Sequence, residues 1–137
     1  MTTTFAPTLL KDGLESLVVD AAESCKITWT PEDLDGAAIL KVNLISLNVT
    51  LYDNATNSVV NSRNAQSVID VNGGTVSTAG VLTLRLTPTD TAIVGTVAEG
   101  VKQTRCIEFI WTWNDGVAVQ TGVEVRGFEI QQRATVV

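Results

Sequence analysis

The stretch Arg105-Cys106-Ile107-Glu108-Phe109-Ile110-Trp111-Thr112-Trp113-Asn114-Asp115-Gly116 decides how this chain is read. Ile107, Phe109, Trp111 and Trp113 recur at every second position, so in an extended backbone all four project from one face of a sheet. A row of that bulk belongs against a core, because large aromatics bury the most apolar area per side chain. Asn114-Asp115-Gly116 is turn chemistry, and alternating apolar residues resume at Val117, so the stretch predicts a hairpin.

The register of that hairpin follows from the same residues. A two-residue turn at Asp115-Gly116 sets Trp111 opposite Gln120 and Ile107 opposite Glu124, burying polar groups against the aromatic row. A three-residue loop of Asn114, Asp115 and Gly116, with Gly116 left-handed in a bulge, brings the apolar rows together instead. It pairs Trp113 with Val117, Trp111 with Val119, Phe109 with Thr121 and Ile107 with Val123. This second register is the expectation, and it places Val119 in the core. Beyond Val125 the pattern slips by one to Phe128 and Ile130, with Gly127 as the expected site of a second bulge.

Outward from the hairpin, the same two-residue period recurs. Cys25, Ile27 and Trp29 alternate with Ser24, Lys26, Thr28 and Thr30, predicting a half-buried strand that Pro31 ends. Ile45, Leu47, Val49 and Leu51 form one face of a second principal strand, and Leu82, Leu84 and Leu86 form a third row closed by Pro88. Together with Ile107, Phe109, Trp111, Trp113, Val119, Phe128 and Ile130, these residues make the expected core. Shorter strands are expected over residues 16–20 and 59–60, and on either side of Asn72-Gly73-Gly74, which reads as a hairpin turn. Residues 87–103 read as a crossover holding one helical turn capped by Asp90. The fold class is therefore all-β, a single antiparallel β-sandwich over residues 16–137, preceded by an arm of residues 1–15. In the arm, Thr3, Thr4, Phe5, Leu9 and Leu10 are the expected partner-binding residues.

Composition narrows the function. At 137 residues the chain can bury one core without staples or metals, and 45% hydrophobic against 18% charged residues is the balance of a folded domain. A net charge of −6 with no block of Lys or Arg argues against binding a phosphate backbone. With no histidine, Ser-His-Asp and Cys-His catalysis and His-ligated metals are excluded together. No apolar run approaches the roughly 20 residues that cross a bilayer, and no membrane partner is expected. The N-terminus lacks a basic and an apolar signal region, so the chain reads as made and used without Sec export. Cys25 and Cys106 are separated as in an inter-sheet disulfide, yet Cys106 points away from the face shared by Ile107 and Phe109. Two unpaired thiols are the expectation, with the disulfide as the alternative.

The residues that could carry chemistry each have a plainer reading. Trp111 and Trp113 could stack on sugar rings, but their parity with Ile107 and Phe109 assigns them to the core, as parity with Ile27 does Trp29. Glu108 and Glu124 could face one another as a glycosidase pair, but nothing sets them in an apolar pocket, so they read as surface groups. Pro31-Glu32-Asp33-Leu34-Asp35-Gly36 lacks the spacing and the downstream bidentate Glu of a calcium loop and reads as a solvated turn. Gly73-Gly74 has no lysine of a phosphate loop, and neither cysteine has an activating base nearby. No catalytic residue, cofactor or metal site is expected.

From residue 16 onward the pattern resembles small immunoglobulin-like virion proteins of tailed bacteriophages, of the capsid decoration, neck or baseplate-attachment kind. The residues that carry it are Asp33-Leu34-Asp35-Gly36, Val49-Thr50-Leu51-Tyr52-Asp53, and Gly80-Val81-Leu82-Thr83-Leu84-Arg85-Leu86-Thr87-Pro88-Thr89-Asp90-Thr91. Arg105-Cys106-Ile107-Glu108-Phe109-Ile110-Trp111-Thr112-Trp113 and Asp115-Gly116 complete it. The resemblance implies an immunoglobulin-like topology, with a jelly roll as the alternative. It also implies a non-enzymatic, homo-oligomeric building block that contacts other virion proteins and is assembled in the host cytoplasm. The rival expectation is a carbohydrate-binding or adhesin-like sandwich, which requires outward-facing tryptophans.

Overall fold

The computed structural model describes residues 2–4 and 18–133. Its strands are β1 (Thr2–Thr4), β2 (Val18–Asp20), β3 (Ser24–Trp29), β4 (Leu44–Asp53), β5 (Gln66–Ser67), β6 (Gly74–Val76), β7 (Leu82–Leu86), β8 (Lys102–Asn114) and β9 (Val119–Gln131). A 3₁₀ turn, Lys41–Asn43, leads into β4. The strands form two sheets, β1-β3-β7-β6 and β2-β9-β8-β4-β5, that enclose the core between them. Trp29 of the first sheet stacks on Phe109 of the second at 4.0 Å and meets Trp111 edge-on at 4.9 Å. Cys25, Ile27, Leu82, Leu84 and Leu86 line one side of this interior, and Leu47, Val49, Leu51, Ile107, Phe109, Phe128 and Ile130 line the other.

The pairing is not purely antiparallel. β1 runs parallel to β3 and β2 parallel to β9, because each joins a sheet edge through the fold and not through a tight turn. The N-terminal arm, expected to be ordered by a partner, thus contributes Thr2, Thr3 and Thr4 to a ladder with Ser24, Cys25 and Lys26 of its own chain. Phe5, Leu9 and Leu10 lie outside the described residues, as do the side chains of Thr3 and Thr4.

The expected hairpin register is wrong. Trp113 pairs with Gln120, Trp111 with Gly122, Phe109 with Glu124 and Ile107 with Arg126, around a loop of residues 115–118 that is longer than either turn the sequence suggests. Val119 therefore faces outward and is 60% exposed, so it is not a core residue. The register is continuous to Arg105–Phe128 and Gln103–Ile130, so neither the slip after Val125 nor a bulge at Gly127 exists. Phe128 and Ile130 sit under the opposite sheet, and their burial dictates the parity of the whole strand. The polar residues opposite the aromatic row tolerate their positions because that half of β9 lies at the margin of the interior, where Gln120, Gly122, Glu124 and Arg126 are all partly exposed.

Ile45, also expected in the core, lies outside it. Leu44 pairs with Trp113 and Ser46 with Thr112, so Ile45 is the extra residue of a β-bulge and projects outward, 53% exposed. Asn72-Gly73-Gly74 does not close a hairpin either. β5 pairs with β4 in one sheet and β6 with β7 in the other, so the turn carries the chain between sheets. Gly74 passes so close to this crossing that a Cβ there would stand 2.1 Å from the Val68 carbonyl oxygen. Residues 87–91 form a turn with no helix, and Asp90 has a different role, described below.

Candidate interaction surfaces

The three tryptophans offer no binding platform. Trp29, Trp111 and Trp113 are 8%, 6% and 4% exposed. Two of the indoles are engaged from within: Trp29 Nε1 donates to Glu124 Oε2 at 2.9 Å, and Trp111 Nε1 to the Glu32 carbonyl at 3.2 Å. Glu124 also holds Arg126 at 2.9 Å. Because Glu124 lies opposite Phe109 on the inward side while Glu108 shares the outward parity of Cys106 and Ile110, the two carboxylates lie on opposite faces of the sheet. The arrangement that paired carboxylates need for glycoside chemistry is absent at these positions.

The cysteines are unpaired and buried. Cys25 faces the core, where burial, reinforced by the charges of Glu23 and Asp90, pushes its thiol up to about 12. Cys106 lies on the other side of its sheet, close to Asn54, and burial raises it too. A nucleophilic cysteine needs the opposite shift.

A charged cluster ties the loops at one end of the sandwich. Arg63 Nε and Nη2 donate to Asp90 Oδ1 and Oδ2 at 2.7 and 3.0 Å, and Asn61 Nδ2 adds a bond at 2.9 Å. Asp90 in turn accepts the Thr87 amide at 2.7 Å, closing the turn after β7. Arg105 reaches the backbone carbonyls of Asp90 and Ala92 from β8. Burial by itself raises a carboxyl's pKa, but the hydrogen bonds from Arg63, Asn61 and Thr87 outweigh it and hold Asp90 below the ordinary carboxylate value. Both carboxylate oxygens are taken up by the chain's own donors, so the cluster is a structural tie. Sequence reasoning missed it, although Arg105 carried a signal: it shares the inward parity of Ile107 and Phe109.

The opposite end is acidic and partly apolar. Asp33 Oδ1 accepts the amides of Asp35 and Ala37 at 2.9 and 3.0 Å, which makes the stretch after Pro31 the turn its sequence predicts. Asp115 likewise accepts the amides of Val117 and Ala118 at 2.8 and 2.7 Å and Gln120 Nε2 at 3.0 Å, and hydrogen bonds from the Ala118 and Val117 amides lower its pKa. Between these loops lies a cleft of about 560 Å³ bordered by Leu34, Asp35, Leu40, Trp113 and Gly116. Among the described residues no group of three or more His, Cys, Asp or Glu side chains is placed to hold a metal ion.

Aliphatic side chains stand out of this end and of the adjoining sheet. Val117 at the tip of the β8–β9 loop is 94% exposed, and Val42, Leu34, Leu40 and Ile45 are exposed as well. Val119, Val123 and Val125 continue the band along the outward face of β9, with Ile110 of β8 beside Val123. The chain matches no protein-family model and no curated protein.

Proposed function

We propose that this chain is a non-enzymatic structural protein of a phage virion, decorating the capsid or joining head, neck or tail components. The observation that carries the reading is the row of exposed valines on the outward face of β9, Val119, Val123 and Val125, with Val117 exposed at the tip of the loop that precedes it. Valine favours a strand by itself, but a contiguous row of valines on the outer face of a sheet gains further when another protein covers it. Covering each valine removes apolar area from water at about 25 cal/mol per Å², and symmetry multiplies modest contacts into a firm assembly. The resemblance of the strand and turn pattern to small virion proteins supplies the particle. The partners are then other virion proteins and further copies of this chain, and assembly takes place in the host cytoplasm. Edge strands and the N-terminal residues Thr3, Thr4, Phe5, Leu9 and Leu10 provide the remaining contacts.

An immunoglobulin-like topology, preferred over a jelly roll, belongs to the same proposal. Its support is the strand order, in which β3-β7-β6 faces β9-β8-β4-β5 and the N-terminal segment adds one strand to an edge of each sheet.

Mass spectrometry of purified phage particles tests the function. The chain is expected in intact particles at a copy number set by the symmetry of the component it joins. Its absence from particles would sink the proposal.

A further inference from the structure

Lys26 and Arg85 stand directly opposite one another in the β3–β7 ladder, on the face turned away from Cys25, Ile27, Leu84 and Leu86. Like charges opposed across a ladder repel, so the pair is a cost to the isolated fold. In a chain with 15 acidic and 9 basic residues, most other cations find acids within the chain. Arg63 binds Asp90, Lys41 binds Asp70, Lys102 binds Glu129 and Arg126 binds Glu124. Among the described residues, Lys26 and Arg85 make no ion pair.

Arg85 also borders a cleft of about 480 Å³ that it shares with Asn61, Arg63, Asn72 and Thr87; Asn61, Arg63 and Thr87 already donate to the buried Asp90, whereas Arg85 has no ion-pair partner among the described residues. The row next to Lys26 and Arg85 is Thr28, Thr83 and Thr75, three hydroxyl-bearing side chains in register across three strands. The surface is therefore centred on two cations that have no ion-pair partner among the described residues, with threonine hydroxyls beside them, and it fits a carboxylate. The chain itself presents one: Asp35, at the exposed tip of the loop after β3, makes no ion pair among the described residues and lies beside the exposed Leu34.

We propose that the occupant is a second copy of this chain, the Leu34-Asp35 loop of each copy seating against Arg85 and Lys26 of the other. The two sites lie toward opposite ends of the sandwich, because Lys26 and Arg85 are where β3 begins and β7 finishes, whereas the loop follows the end of β3. An antiparallel two-fold dimer through the outer face of β3 and β7 satisfies both contacts at once. The inference rests on the reading of a homo-oligomeric building block, which it deepens by naming the surface used.

Sedimentation velocity on the purified full chain tests it, with Arg85→Glu, Asp35→Lys and the double exchange, each checked for an unchanged circular dichroism spectrum. The wild type is expected to dimerise at low salt and to weaken by about tenfold or more when salt shortens the Debye length from about 30 to 3 Å. Either single exchange should give monomers, and the double exchange should restore the dimer. A monomeric wild type at low salt would overturn the inference, as would a dimer that ignores both single exchanges or a double variant that stays monomeric. A monomer that still occurs in phage particles removes this contact and leaves the virion reading standing; a dimer absent from particles does the reverse.

Discussion

Gly122 lies directly beneath the indole of Trp111, so close that a Cβ at this position would stand 2.3 Å from Cε2 and Cζ2 of the ring. The contact follows from the register that pairs the two residues across β8 and β9. It explains how a glycine stands in the middle of a long strand, where it otherwise weakens the ladder.

Gly122→Val should therefore destabilise the protein by about 2 kcal/mol or more, since the indole is held on one side by Trp29 and on the other by this strand. Urea denaturation checks it. A variant as stable as the wild type would mean that the ring can swing away.

Asp90→Ala should cost about 3 to 5 kcal/mol, because Arg63 is then left as a buried charge with its carboxylate removed. The native Asp90 binds its proton less readily than the unfolded one. Its contribution is thus present above the unfolded carboxyl pKa of about 3.9 and is lost as pH falls through the lower folded value. Denaturation at neutral and acid pH should show the gap between wild type and Asp90→Asn closing on acidification; a gap independent of pH would contradict this.

Leu47→Ala should lose about 2 to 5 kcal/mol, whereas Ile45→Ser and Val119→Ser should stay within about 0.5 kcal/mol of the wild type. The contrast follows from burial, Leu47 being fully enclosed and the other two more than half exposed. Equal losses at all three positions would place Ile45 and Val119 in the interior after all.

Tryptophan emission should be blue-shifted and poorly quenched by acrylamide, because all three indoles are enclosed. In the same samples, a thiol reagent near neutral pH should titrate both cysteines in denaturant and neither quickly in the native state, given their raised pKa values. Red-shifted, readily quenched emission would favour the carbohydrate-binding alternative.

The periodicity of Ile107, Phe109, Trp111 and Trp113, of Cys25, Ile27 and Trp29, and of the leucines from 82 to 86 is enough to place three inward rows, because alternation along a strand is a property of the backbone itself. The same rule fails on β9. There Val119, Val123 and Val125 share one parity with Thr121, and that apolar-looking row faces water. Alternation shows that a strand has two faces and leaves open which one is inside. The acidic loops are legible as turns through their Asp and Gly content. Arg63 and Asp90 are not legible as a pair, since their side chains meet only once a turn after β7 and a loop after β4 are brought together.

By itself, then, the sequence determined the secondary structure class, the main strands and the enclosure of the tryptophans, all of which depend on short-range backbone geometry and apolar content. The tertiary structure alone decided the β8–β9 register, the crossing at Gly73-Gly74, the Arg63–Asp90 tie and the pairing of Lys26 with Arg85. Each of these depends on which surfaces the opposite sheet covers, and that is a relation between segments far apart in the chain.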